Sequence, residues 1–392
     1  MKFYTSVLPY RGRLLVRGVD KDGTQKKYRI NYKPSLFVPV GKETKYKTLD
    51  GRYVERIKFD SMPEATKWVN EYKNVTNFEY FGNTRHQYPF IADEFKGKID
   101  WDMNKIKLLT IDIECESENG FPSPEKADQP LICITVKDHT TKKIIVFGMG
   151  NFVNDREDVQ YINCVTETGL VETFTKFWVE YNPDIITGWN VKFFDIPYLM
   201  NRFRYLMGDE WLNQFSPWGI VEQKSASVLF ASREQQVWNI MGVDTLDYLD
   251  LYRKFTFVRR ESYKLDYIGE VELGQNKLDN PYDTFKEFYS NDYQRFVEYN
   301  IQDVELVDKL EDKLQLIALF LTMAYEAKVN YQDVFGQVRI WDCIIYHHLR
   351  SKNIVPPAVQ ESKTSSGYEG AYVKDPVVGF HDWVCSFDLN SL

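Results

Sequence analysis

The sequence predicts an α/β protein: an interleaved strand–helix region from near residue 105, preceded by a β-rich α+β segment. Three observations carry this expectation. From Ile106 onward, short apolar runs of strand character alternate with runs of helical period. Before about residue 100 the chain instead shows β-prone runs separated by turn residues. The 392 residues are 43% hydrophobic and 27% charged, an ordinary globular composition. At roughly 150 residues per domain that length suggests two or three domains.

Taken in order, Val16-Arg17-Gly18, Asp22-Gly23 and Asp50-Gly51 are turn or bulge signals. Ser61-Met62-Pro63-Glu64 reads as a helix start, with Ser61 as cap and Pro63 in the first turn. Ile106 to Glu114 reads as a buried strand, with Leu131 to Val136 and Lys143 to Phe147 as its neighbours. Leu170, Val171, Phe174, Phe177, Trp178 and Tyr181 repeat with a period near 3.6 and predict an amphipathic helix that Pro183 stops. Ile185-Ile186 is a short strand, and Pro197 opens a helix that ends near Gly208. Residues 226–242 read as a hairpin, followed by a helix from Asp244 and a long helical stretch over roughly 292–327. The segment 355–392 is rich in turn residues, and a strand-like run from Trp383 to Phe387 leads to Asp388.

Composition narrows the function classes. The most apolar stretch, Leu316 to Ala324, is too short to span a bilayer. The amino terminus lacks the apolar core of a secretory signal. Five scattered cysteines without a CxxC pair favour neither a disulfide framework nor a zinc ribbon, so a reducing, cytoplasmic setting is expected. The net charge of −8 argues against a global basic field for nucleic acid, while leaving room for a local basic groove beside an acidic centre. The 16% aromatic content fits a ring-rich core, or rings that stack on bases.

The chemistry lies in three acidic elements. Asp112 and Glu114 sit two apart in a strand, so period-two alternation puts both on one face, with Ile111 and Ile113 on the other. Adjacent carboxylates repel, and a divalent cation with oxygen ligands is the usual compensation. Alone, the pair also fits a solvent-facing strand end. Asp195 precedes the Pro197 helix, where it could be only a cap. Tyr299 and Asp303 share one helix face at i and i+4, among Phe296, Val307 and Leu310. An aspartate there is costly unless paired or metal-bound, and a phenol one turn away can orient a water.

The ordered set is Asp-x-Glu on a strand, Asn190-x4-Asp195 at a strand–helix junction and Tyr299-x3-Asp303 on a helix. It resembles the tyrosine-containing branch of the DEDD exonuclease superfamily. Tyr181-Asn182-Pro183-Asp184-Ile185-Ile186-Thr187-Gly188-Trp189-Asn190 and Leu246-Asp247-Tyr248-Leu249-Asp250-Leu251-Tyr252 resemble exonuclease-region segments of family B DNA polymerases, in particular those of T-even-type tailed bacteriophages. Ser386-Phe387-Asp388-Leu389-Asn390-Ser391-Leu392 looks like the start of that family's first palm motif.

The resemblance implies an RNase-H-like exonuclease domain over 104–318. An N-terminal domain would span 1–103 and be completed by about 319–360, with the beginning of a palm over 361–392. It implies two divalent cations, Mg²⁺ or Mn²⁺, held by Asp112, Glu114, Asp195 and Asp303. Tyr299 would position the nucleophilic water, Asn190 would lie beside the 3′-terminal nucleotide, and Phe121 would stack on unpaired bases. The expected activity is 3′–5′ proofreading hydrolysis of single-stranded or frayed DNA at primer 3′ ends, releasing nucleoside monophosphates, in a bacterial host cytoplasm. Arg253, Lys254, Arg259, Arg260 and Lys264, interleaved with aromatics, suit a single-strand groove, and also an ordinary solvated helix end. Lys42, Lys45 and Lys47 form a weaker cluster.

Polymerisation needs at least two palm aspartates, and only Asp388 is present, so no polymerase activity is expected of this chain alone. Two other readings remain at this level: a module that binds RNA, and a structural half that docks with a separate palm and fingers chain. No membrane partner is expected.

Overall fold

The N-terminal segment folds as short antiparallel strands because glycine-bearing turns interrupt its β-prone runs. The computed structural model describes residues 1–117, 122–227, 234–278, 280–358, 374, 375, 377–385 and 387. Strands β1 (Phe3–Tyr10), β2 (Arg13–Val19) and β3 (Gln25–Ile30) form a three-stranded sheet in that order. Asp22-Gly23 makes the turn between the last two, with Gly23 at φ 84°. Next come β4 (Ser35–Pro39), β5 (Tyr46–Thr48), β6 (Tyr53–Lys58), α1 (Met62–Tyr72) and α2 (Gln87–Glu94). Ser61 caps α1, its side chain accepting from the Glu64 N–H at 3.3 Å, as its sequence signature requires.

The interleaved region follows. Its strands and helices in chain order are β7 (Leu108–Cys115), β8 (Leu131–Asp138), β9 (Ile144–Gly148), β10 (Val159–Asn163), α3 (Glu167–Tyr181) and β11 (Ile185–Thr187). Then come α4 (Asp195–Met207), α5 (Asp209–Leu212), the paired strands β12 (Val221–Ser227) and β13 (Glu234–Ile240), and β14 (Asp244–Thr245). The helices α6 (Tyr248–Phe255), α7 (Leu265–Leu273), α8 (Phe285–Asn291), α9 (Tyr293–Leu314), α10 (Leu316–Ala327) and α11 (Gln337–Ser351) precede the last strand, β15 (Ile354–Val355).

A mixed six-stranded sheet runs β10-β9-β8-β7-β11-β14. Strands β7, β8 and β9 pair antiparallel, and the other neighbours are parallel. One face of this sheet packs Ile111, Ile113 and Phe147 against Phe174 and Trp178 of α3 and Leu199 and Phe203 of α4. The other face packs Cys133 and Val146 against Phe296, Val297 and Ile301 of α9. β7 is therefore central and covered on both sides, which explains its apolar run. The chain returns at β15, which pairs parallel with β5 in the sheet β15-β5-β6-β4. Phe3 and Tyr4 share a core with Leu246, Leu310 and Phe320, so Met1–Ala358 is one compact unit. Among the described residues no helix is long and apolar enough to cross a membrane. All five cysteines are free thiols.

Several expectations need correction. Val16-Arg17-Gly18 is not a turn but the interior of β2, and the bulge lies across from it, between Tyr4 and Ser6 of β1. A Cβ at Gly18 would come within 2.3 Å of the Phe3 carbonyl oxygen, so glycine there serves close strand approach. The helix expected from Asp244 starts only at Tyr248 with Asp247 as its cap, because Asp244 and Thr245 extend the sheet beside β11. The stretch 292–327 is two helices, broken where Gln315 takes a left-handed φ of 53°. Strand β10 was not expected; it exists through its parallel pairing with β9. The second unit is Val359–Leu392. Among its described residues none is in a strand, and Trp383 takes φ 60°, contrary to the strand read there. Asp388, like Phe121, lies outside the described residues.

Candidate active site

Alternation along β7 turns Ile111 and Ile113 into the core and puts Asp112 and Glu114, both half-buried, on the opposite face. Helix α9 crosses that face and brings Asp303, which is buried, onto the pair. One oxygen from each of Asp112, Glu114 and Asp303 lies within 4.8 Å of the others. Tyr299, one turn before Asp303, lines the same cavity of about 690 Å³.

Asp195 reaches this cavity by a different route. β11 stops pairing with β7 at Thr187 opposite Thr110. The chain then crosses so near β7 that a Cβ on Gly188 would lie 2.5 Å from the Ile111 carbonyl oxygen. Asn190 turns it with φ 67°, and α4 opens at Asp195. Asp195 does not cap its helix, since its Oδ1 accepts from the Ile113 N–H at 3.2 Å. That contact ties the α4 start to the strand segment between the other two acids. Asp195 and Asn190 both line the cavity, but Asp195 stands outside the tight group of three. The turn itself is held by Asp247, whose carboxylate accepts from the Asn190 and Lys192 N–H groups, each at 3.0 Å.

The electrostatics show unbalanced negative charge. Burial pushes Asp112 well up, and the neighbouring Asp195, Asp303 and Glu114 push it further. Burial, with Asp303 beside it, raises Glu114 to about 8. Asp195 rises to about 7, mainly through burial, with the Ile113 N–H opposing. Asp303 is also raised by burial, against the pull of Lys277. Lys277 was not foreseen: its ammonium donates to Asp303 Oδ2 and lies 3.5 Å from the Tyr299 hydroxyl. Burial pulls that ammonium down, but Asp303, Tyr299 and Asp112 outweigh it and hold it above its ordinary range. One lysine does not balance four carboxylates, and Asp303 Oδ1 is buried without a hydrogen-bond partner. A hard divalent cation with oxygen ligands fits both facts.

A pH dependence follows. Carboxyls raised on folding stabilise the protein fully below about pH 4, their ordinary range, and that contribution is lost as pH rises through about 7 for Asp195 and about 8 for Glu114. In EDTA the thermal midpoint should fall across this window, and Mg²⁺ should shrink the fall. A midpoint in EDTA that stays level across the window would contradict this balance of charges.

The basic run that begins in the last turn of α6 disperses. Arg260 pairs with Glu272 at 2.6 Å and donates to the Tyr252 hydroxyl. Lys254 donates to the Phe335 carbonyl at 3.1 Å, and Arg253 stacks over Tyr263 at 4.5 Å. Arg259 is exposed, and Lys264 alone of the five lines the cavity. Three of these cations thus have local structural partners, which composition could not reveal. Lys45 and Lys47 likewise lie over Tyr46 and Tyr53, and Lys42 is 3.7 Å from Glu55.

A sheet covered by helices on both faces, with acids from a central strand and a crossing helix, defines a nuclease-like α/β domain. This chain belongs to the family B DNA polymerases: the family described as DNA polymerase family B, exonuclease domain, matches residues 65–268, more than half of it. The six-stranded sheet is accordingly the RNase-H-like core of that domain. The DNA-directed DNA polymerase of Escherichia phage RB69 is 33% identical over 420 residues, covering 100% of this chain and 46% of the relative. That of Enterobacteria phage T4 is 30% identical over 417 residues, with the same coverage. The DNA polymerase delta catalytic subunit of Caenorhabditis elegans is 29% identical over 309 residues, covering 73% of this chain and 28% of the relative. The chain thus spans about half the length of the phage relatives it matches. Exonuclease domains of this family use divalent metal ions, and the acidic cluster has the chemistry for them.

Proposed function

We propose that this chain is the 3′–5′ proofreading exonuclease portion of a replicative DNA polymerase. It would hydrolyse the terminal phosphodiester of single-stranded or frayed DNA and release nucleoside monophosphates. The observation that carries the reading is the meeting of Asp112, Glu114 and Asp303 within 4.8 Å, although the helix acid stands far from the strand pair in sequence. Asp112, Glu114, Asp195 and Asp303 would hold two Mg²⁺ or Mn²⁺ ions. When bound, such ions activate water and stabilise the leaving oxygen. Tyr299, whose hydroxyl lies 3.5 Å from the Lys277 ammonium that pairs with Asp303, would orient a water beside Asp303. Asn190, on its left-handed turn, would lie against the 3′-terminal nucleotide, and Lys264 at the cavity wall would draw in phosphate.

On this reading residues 104–318 are the exonuclease domain, residues 1–103 with about 319–360 the N-terminal domain, and 361–392 the start of a palm. The shared core of β1 and α10 and the return of β15 to β5 support the second grouping. The DNA-directed DNA polymerase names of the phage relatives support a substrate of DNA and a bacterial host cytoplasm as the setting.

The test is digestion of a 5′-labelled single-stranded oligonucleotide. With Mg²⁺ the label should pass through a ladder shortened one nucleotide at a time, and EDTA should stop it. Products cut internally, or digestion undiminished in EDTA, would refute the reading.

A further inference from the structure

Asn300 lies next to Tyr299 on α9, and it is completely buried between that helix and the sheet. A buried carboxamide is costly unless both its ends are satisfied. Here they are. Nδ2 donates to Asp112 Oδ2 at 2.6 Å, and Oδ1 accepts from the Cys133 thiol at 3.4 Å. The three residues come from three elements: Asp112 from β7, Asn300 from α9 and Cys133 from β8. Glu114 and Cys133 face each other across the β7–β8 ladder, so the chain of contacts runs along the floor of the acidic cluster.

Direction matters in this chain. A carboxamide can present either a donor or an acceptor to its neighbour. Cys133 Sγ has the Thr135 hydroxyl at 3.8 Å and Asn300 Oδ1 nearer, at 3.4 Å, and it is the carboxamide oxygen that accepts from the thiol. The N–H₂ end is then turned to Asp112. One oxygen of that carboxylate is engaged, its rotation is set, and the second oxygen is presented rather than left to swing. We infer that Asn300 is a positioning residue that holds the Asp112 carboxylate in its cation-binding orientation, and that the Cys133 thiol sets which end of Asn300 does so. This inference rests on the metal-site reading proposed above and adds to it two residues that touch neither ion nor substrate.

Groups that orient a metal ligand in this way typically change metal affinity by roughly tenfold to a hundredfold when removed. The test measures Mn²⁺ binding to the chain without DNA, by electron paramagnetic resonance of the free ion, beside thermal unfolding. Asn300→Leu keeps the volume and removes both polar ends. Asn300→Asp keeps the shape but faces Asp112 with a second carboxylate, and Asn300→Leu covers the case in which that variant does not fold. Both should weaken Mn²⁺ binding by about tenfold or more. Cys133→Ala should weaken it less, and Cys133→Ser, which restores a donor, should recover most of the loss. A role in packing alone predicts no such recovery. If Asp112→Ala loses Mn²⁺ while folded Asn300→Leu binds it as the parent does, the inference falls and the metal site stands. If the parent chain itself fails to bind Mn²⁺, the metal-site reading falls and takes the inference with it.

Discussion

Asp112→Ala is expected to slow nucleotide release from a 5′-labelled single strand by on the order of a thousandfold, since a bound cation supplies several kcal/mol to the transition state and about 1.4 kcal/mol corresponds to tenfold in rate. The same substitution should not unfold the protein. Asp112 is raised well above its ordinary range by burial and by three neighbouring carboxylates, so in the absence of metal its charge is a burden on the fold. Its loss removes one repelling charge and one side chain on the cavity wall, and the relief of repulsion offsets the loss of the bond from Asn300 Nδ2. Asp303→Ala should show a comparable loss of activity, with the difference that it also releases the Lys277 ammonium. Measured side by side with thermal unfolding, a folded Asp112→Ala protein that digests the oligonucleotide as fast as the parent would end the assignment.

The largest effect on stability is expected far from the cavity, at Arg17. Its side chain is 2% exposed and its partner Asp184 is fully buried. The guanidinium lies 3.2 Å from Asp184 Oδ1 and donates to the carbonyls of Pro183, Gly242 and Asn182. Asp184 in turn accepts from Thr5 Oγ1 at 2.8 Å, Gln25 Nε2 at 2.7 Å and the Lys107 N–H at 3.0 Å. One ion pair thus joins the N-terminal sheet to the ends of α3 and β13 and the approach to β7. Removing the guanidinium leaves the buried Asp184 with hydrogen bonds but no counter-charge, and breaking a buried pair in this way costs about 3–5 kcal/mol. Arg17→Ala should lose stability of that order in urea. A loss within about 1 kcal/mol, the range of exposed pairs, would mean that water or rearrangement replaces the guanidinium.

The candidate site was legible to the extent that its signals are local. Asp112 and Glu114 share a face because strand side chains alternate, and Tyr299 and Asp303 share one because helices repeat every 3.6 residues. Neither rule says that the two faces meet. Asp195 could be read only as a cap or a ligand, and its actual bond to the Ile113 N–H depends on where β11 stops. Lys277 is a single cation in a loop, with no period to mark it. Its position comes from Asp266, which accepts from the Lys277 N–H at 2.8 Å, and from Gln302, whose side chain donates to the Asn276 carbonyl at 3.0 Å. Asn300 stood inside the quoted Tyr299–Asp303 motif. Its place on the buried face of the helix was a usable sign that a polar group there must have partners.

What the residue order determined unaided was the kind of each main element and the chemistry of the acids, because propensity, capping and alternation act over a few neighbours. Tertiary structure decided the rest. It made Asp244 and Thr245 a sheet edge rather than a helix start, since two residues pair only if β11 is already there. It spent Arg253, Lys254 and Arg260 on local partners, because a charge near a buried carbonyl, ring or carboxylate is used where it lies. It also gathered acids, lysine and asparagine around one cavity, a result of long-range packing that no short stretch of sequence encodes.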